Sequence, residues 1–150
     1  MEQVDFLMSI RNKFQNKIVN RICIYFAKRY GCIIGNGASI GENVHFTHNA
    51  VGSVITTHCK IHDGVRIMSN VTIGDSFSGA LSSDTRIPFI EIESGAILSS
   101  GCRILCKRGN TLHIGRNSII AANAVVLHDV PDNEIWGGVP AVKIKDRTEF

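Results

Sequence analysis

Two periodicities divide the chain. Over residues 4–30 the apolar positions Leu7, Ile10, Phe14, Ile18, Ile22 and Phe26 recur at steps of three or four, the spacing that lines one face of an α-helix. The pattern predicts one bent helix or two short ones, closed at Tyr30-Gly31 because glycine is favoured just past a helix end. From residue 31 onward neither that step nor strict alternation fits, and a period of six does. Hexads start at Ile34, Ile40, Phe46, Ile55, Ile61, Ile67 and Ile73, and after a gap at Ile92, Leu98, Ile104, Ile114, Ile120 and Val126. Each begins with a bulky apolar residue, and most carry Ala, Val, Cys or Ser fifth.

A six-residue unit is one short strand and a corner, so a chain that turns at every corner forms a triangular solenoid with roughly 18 residues per coil. The first residue of each unit points into the prism, and the fifth sits near the corner where only a small side chain fits. Fourth positions hold Gly37, Asn43, Asn70, Asn117 and Asn123, residue types that tolerate positive φ at a tight corner. The expected fold is mainly β: a hexapeptide-repeat prism of about four coils behind a short N-terminal helical segment. Three parts follow: an amphipathic helical segment over 1–30, the solenoid over 31–145, and a tail over 146–150. Residues 74–91, rich in Gly, Ser and Asp, read as a loop thrown out from one corner.

Composition sharpens this picture. The chain holds 21 Ile and 12 Val against 6 Leu, and β-branched residues suit a pleated surface better than a helical bundle. Isoleucine opens ten of the thirteen hexads, and all 14 glycines lie at or after Gly31. Residues 1–30 hold six basic and two acidic side chains, whereas the remainder of the chain is balanced to within one charge. A general nucleic-acid surface is therefore excluded. No apolar run approaches the roughly 20 residues of a membrane span, which points to a cytoplasmic protein whose basic helix can at most lie on an anionic membrane. Five cysteines, an odd number without a Cys-x-x-Cys pair, read as reduced thiols; Cys59 and Cys102 fill fifth positions.

The hexads, followed by V-P-D-N-E-I-W-G-G-V-P-A-V-K from Val130 to Lys143, resemble the hexapeptide-repeat acyltransferases. The resemblance implies a left-handed parallel β-helix, an exception to the usual right-handed crossover. The stretch H-N-A-V-G-S-V-I-T-T-H-C-K-I, from His48 to Ile61, is similar to the histidine segment of serine acetyltransferase-like enzymes, many of which act in surface-polysaccharide pathways. Acetyl-CoA is the implied co-substrate, no metal is implied, and a homotrimer is the implied assembly.

Acetyl transfer to a hydroxyl needs a base, a stabiliser for the oxyanion, and a slot for the pantetheine arm. Among six histidines, His48 stands where the spacing to the next hexad breaks from six to nine residues, and histidine is the natural base near neutral pH. The resemblance assigns it that role. It also places Asn70 and Arg86 at the donor or acceptor, and Ser100, Ala122, Leu127, His128, Gly138 and Lys143 along the coenzyme A track, with Lys143 toward the phosphates.

Two departures bear on the acceptor. Serine acetyltransferases carry an acidic residue just before the catalytic histidine and a second histidine in an Arg-His-Pro stretch; this chain has Thr47 and Arg86-Ile87-Pro88. On that basis a sugar hydroxyl in surface-polysaccharide biosynthesis is the first expectation and serine of cysteine biosynthesis the alternative. A non-catalytic scaffold and a metalloenzyme resembling γ-class carbonic anhydrases are the remaining readings. The latter is disfavoured because His58 and His62 fall on different faces of the prism.

Overall fold

A computed structural model describes residues 1–76 and 89–148. Two helices, α1 (Gln3–Phe14) and α2 (Lys17–Arg29), precede the strands. The first coil comprises β1 (Ile33–Ile34), β2 (Ser39–Ile40) and β3 (His45–Phe46), and the second β4 (Val54–Ile55), β5 (Cys59–Ile61) and β6 (Arg66–Ile67). The third comprises β7 (Thr72–Asp75), β8 (Phe89–Ile92) and β9 (Ile97–Leu98), and the fourth β10 (Arg103–Cys106), β11 (Thr111–Ile114) and β12 (Ile119–Ile120). A fifth begins with β13 (Val125–Val126) and ends in the antiparallel hairpin of β14 (Glu134–Gly138) and β15 (Ala141–Asp146).

Every third strand stacks on its predecessor in parallel, which generates three faces. The first face is β1-β4-β7-β10-β13, the second β2-β5-β8-β11, and the third β3-β6-β9-β12-β14 with β15 at its edge. Along the first face Ile33 pairs with Val54, Val54 with Thr72, Thr72 with Arg103, and Arg103 with Val125. Only the step from Val54 to Thr72 is the plain 18 residues. The longer steps locate insertions after Phe46, after Ser76 and after Cys106. Within the expected loop 74–91, Gly74 and Asp75 belong to β7 and residues 89–91 to β8, while 77–88 lie outside the described residues.

First-position residues form the core: Ile34, Phe46, Ile55, Ile67, Ile92, Ile104, Ile120 and their equivalents are buried, as are the fifth-position Ala38, Val65, Cys102 and Ala124. Burial pushes the Cys32, Cys59 and Cys102 thiols up to about 12, which makes them inert packing groups. The corners are built from asparagine and glycine. Asn43, Asn70, Asn117 and Asn123 take positive φ, and the side-chain oxygens of Asn70, Asn117 and Asn123 occupy the space a Cβ would need at Gly52, Gly95 and Gly101 one coil earlier. Gly37 is an exception to the corner expectation. It lies between the first and second faces without positive φ; a Cβ there would meet Thr57 Cγ2 at 2.7 Å, so close approach of the next coil is its reason for being glycine.

The helices cover the open end of the first coil with only part of the expected stripe: Leu7 and Ile10 are partly buried against the core. Phe14 and Ile18 are 59% and 68% exposed, and Ile22 and Phe26 are exposed too, while Val4, Met8, Cys23 and Ala27 are buried. The two helices break where Gln15 adopts the left-handed conformation and Asn16 caps α2 by accepting from the Ile18 N–H at 2.8 Å. An open strand edge leaves carbonyls without partners. Here Arg11 donates to the Ala38 carbonyl, Asn12 to that of Gly41 at 2.9 Å and Asn20 to that of Asn36 at 3.3 Å.

The asparagine lids yield a paired test. Gly64 and Gly95 both have positive φ, but a Cβ on Gly64 meets nothing nearer than 4.0 Å, whereas one on Gly95 collides with Asn117 Oδ1. Gly64→Ala should cost about 1 kcal/mol from backbone strain alone, and Gly95→Ala about 2–3 kcal/mol, measured by urea unfolding.

Candidate active site

The insertion after Phe46 is the elbow Thr47–Ala50. His48, Asn49 and Ala50 have φ of 53°, 58° and 47°, three successive residues in the left-handed region that side-chain-bearing residues rarely enter. Ala50 is fully buried, so the elbow is anchored inward while His48 projects outward and is exposed; the corner position itself, opposite Val71, is taken by buried Ser53. Beneath it, buried Ser53 donates from Oγ to the Met68 carbonyl at 3.1 Å and accepts from the Val71 N–H at 2.9 Å, which ties the elbow's exit to the second coil. The Thr47 hydroxyl is enclosed and makes no hydrogen bond among the described residues.

The elbow stands on the edge between the third and first faces. Asn70 follows β6 on that edge, Ser100 follows β9 and Ala122 follows β12. Ile120 pairs with Trp136, and continuing that register carries Gly138 over Ala122. Five of the residues expected from sequence, His48, Asn70, Ser100, Ala122 and Gly138, thus form one column along that edge, with Asn70 one register position nearer the first face, level with Gly101. At about 4.8 Å per stacked strand, His48 and Ala122 are roughly 14 Å apart along it. Asn70 is exposed there, and its side chain also lies against Gly52, so its corner role is structural.

The remaining candidates do not join this column. Leu127 and His128 follow β13 and sit, exposed, on the next edge, between the first and second faces. His58 shares that edge, and Arg86 lies outside the described residues. Lys143, in β15, is held by Glu134 at 2.8 Å and by Asp146 at 2.7 Å. Its ammonium pKa is raised, first by Asp146 and then by Glu134, so a phosphate would have to displace two carboxylates.

Other features had no sequence signal. Asp5 and Asn49, 44 residues apart, meet through the elbow: the Phe46 N–H donates to Asp5 Oδ1 at 2.6 Å, and the Val4 N–H donates to Asn49 Oδ1 at 3.2 Å. A cleft of about 640 Å³ runs between α1 and the first coil, lined by Asp5, Met8, Asn12, Glu42 and His45 among others, but not by His48. On the outside of the second face, donor atoms of His62, Glu91 and Glu93 lie within 4.8 Å of one another, close enough to hold a metal ion. Those carboxylates already have partners. Glu91 accepts from Lys60 at 3.2 Å and lies 2.8 Å from His62 Nε2, and His113 Nε2 lies 3.4 Å from Glu93.

A serine acetyltransferase from Bacillus licheniformis is 32% identical to this chain over 127 residues, 85% of the chain and 53% of that protein. A putative serine acetyltransferase from Schizosaccharomyces pombe is 36% identical over 115 residues, 77% of the chain and 39% of that protein. The crystal structure of serine acetyltransferase from Brucella abortus strain S19, in complex with coenzyme A, superposes with a TM-score of 0.71 at 26% identity over 92% of the chain and 56% of its own. These likenesses support a place in the hexapeptide-repeat acyltransferase family. The chain's fold is the left-handed β-helix of the serine acetyltransferases. No family model matches the chain, and the chain spans only about two fifths to just over half the length of these relatives. No helix among the described residues is long and apolar enough to cross a membrane.

The Glu91 ladder makes the repeat acid-sensitive. Its carboxyl is held below the ordinary value, first by the His62 hydrogen bond and then by Lys60. A carboxylate with a depressed native pKa stabilises the fold above its unfolded value, about 4.3, and that stabilisation is lost as pH falls through the native value. Glu91→Gln should therefore flatten the acid limb of a Tm against pH curve below about pH 4.5, while an unchanged limb would show that the pair contributes nothing.

Proposed function

We propose that this protein is an acetyl-CoA-dependent O-acetyltransferase with His48 as general base. The observation that carries the reading is the exposed imidazole on a strained three-residue elbow, at the head of an edge whose later corners, Ser100 and Ala122, are small. Small corners let a slender arm lie close to the backbone. In the reaction His48 takes the proton of the acceptor hydroxyl as its oxygen attacks the thioester carbonyl. The new C–O bond forms, the C–S bond breaks, and the proton passes from the imidazolium to the departing thiolate. Leu127 and His128 border the same first face as the column, so a long donor can touch both edges only by crossing the outside of that face. A three-fold assembly would place a neighbouring prism against such a groove.

The relatives that are named for an acceptor are named for serine, which supports serine over the sugar hydroxyl expected from Thr47 and Ile87. Those two departures remain the reason to test a sugar beside it. Thioester release from acetyl-CoA should appear with L-serine, and His48→Ala should lower kcat by about 10²–10⁴-fold with little change in KM for acetyl-CoA. Equal turnover by both proteins would remove His48 from the mechanism. Turnover with saccharide acceptors and none with serine would restore the sugar reading.

A further inference from the structure

The elbow is irregular with respect to the hexad lattice, and its geometry is held from outside that lattice. Inside the coils it has the buried Ala50, the 3.0 Å bond from the Ser53 N–H to the Ala50 carbonyl, and a long 3.4 Å bond from the Val51 N–H to the His48 carbonyl. The residues that flank His48 are instead gripped by the first turn of α1. Two residues before it, the Phe46 N–H donates to Asp5 Oδ1 at 2.6 Å, and the other Asp5 oxygen lies 2.7 Å from His45 Nδ1. One residue after it, the Asn49 side chain accepts from the Val4 N–H at 3.2 Å and donates to Gln3 Oε1 at 2.8 Å.

The grip is reciprocal. Glu2, the residue at the α1 N-cap, makes no side-chain cap hydrogen bond, and the Val4 N–H is one of the first-turn donors that a helix cannot satisfy internally. Asn49 supplies the acceptor that an N-cap residue would, so the elbow caps the helix that holds the elbow. Asp5 sits in the first turn, where the helix dipole favours a carboxylate, and buried Val4 anchors that turn in the core.

Resting on the reading of His48 as base, we propose that Asp5 and Asn49 are positioning residues: the first turn of α1 clamps both sides of the elbow and sets where the His48 imidazole points. Catalytic rate depends steeply on such placement, with a displacement of about 1 Å costing up to about a hundredfold. Two variants test the clamp from opposite ends. Asp5→Ala removes the acceptor for Phe46 and the partner of His45. Asn49→Gly removes both side-chain bonds, yet glycine tolerates the same positive φ. In each, kcat should fall by about tenfold or more while KM for acetyl-CoA stays within about twofold, because the imidazole is displaced and the late coils are untouched. Asp5→Asn, which keeps an acceptor for the Phe46 N–H, should recover most of the lost kcat.

A kcat within about twofold of wild type in either folded variant would overturn the proposal, as would loss of kcat and KM together. If Asp5→Ala does not fold, Asn49→Gly decides alone. The imidazole resonances of His48, read by NMR well below Tm, give a second measure that needs no turnover: they should shift and broaden in Asn49→Gly. Should wild type prove inactive, or His48→Ala fully active, the acetyltransferase reading falls and these resonances judge the clamp by themselves. An unchanged His48 spectrum would then sink it.

Discussion

In-register parallel pairing between successive coils is the constraint on which everything else rests. A short strand donates and accepts only if the strand one coil away presents its backbone at the same height, as Val54 does to Thr72 and Arg66 to Ile97. Once the register is set, each inward position becomes a column: Ile34, Ile55, Ile73, Ile104 and Val126 stack along the first face, all buried. A residue added within a strand would turn that column inside out. Extra residues can therefore enter only at corners, and they must leave outward. The insertion at Thr47–Ala50 obeys this rule: buried Ser53 takes the corner position opposite Val71, and the surplus before it forms the elbow from which His48 is expelled outward. Irregularity and exposure of the histidine have the same cause.

The same pairing leaves a problem at its ends, because a stack has a first coil with nothing below it. The helices answer it with side-chain donors to the edge carbonyls, from Arg11, Asn12 and Asn20, and with the buried Val4, Met8, Cys23 and Ala27. At the opposite end β14 and β15 fold back as a hairpin, and Arg147 donates to the Asn117 carbonyl at 2.8 Å. The helical cap and the candidate active site lie on the same coil, so the device that closes the open edge also reaches the elbow.

Much of this was legible in the sequence, because the constraint is local and repeated. The hexads exposed the columns, the small fifth residues exposed the corners, and the jump from Phe46 to Ile55 exposed the elbow, since a lattice announces its own breaks. What could not be read depended on contacts that no period encodes. Asp5 reaches Phe46 across 41 residues, and nothing in its surroundings distinguishes it from an ordinary first-turn acid. The helix face was half misjudged for a related reason: Leu7 and Ile10 of the expected stripe do pack on the core, but Phe14, Ile18 and Ile22 lie outside it, and Val4, Met8, Cys23 and Ala27 take the buried positions. Lys143 was expected toward the coenzyme A phosphates, and no period announced that the hairpin would bring Glu134 beside it.

The energetics of the elbow show why a lattice alone could not hold it. Left-handed backbone costs about 1–2 kcal/mol for each residue with a side chain, less for asparagine, so His48, Asn49 and Ala50 together carry roughly 3–5 kcal/mol of strain. A hydrogen bond to an ionised group returns about 1.5–3 kcal/mol and a neutral one about 0.5–1.5. The contacts of Asp5 with Phe46 and His45, and of Asn49 with Val4 and Gln3, therefore return an amount of the same order, roughly 4–9 kcal/mol once α1 is docked. The strain is offset only by contacts that the helix supplies. A turn in that condition keeps one geometry while the helix is docked and has little reason to keep it otherwise, which makes the placement of His48 a property of the N-terminal helix as much as of the repeat that displays it.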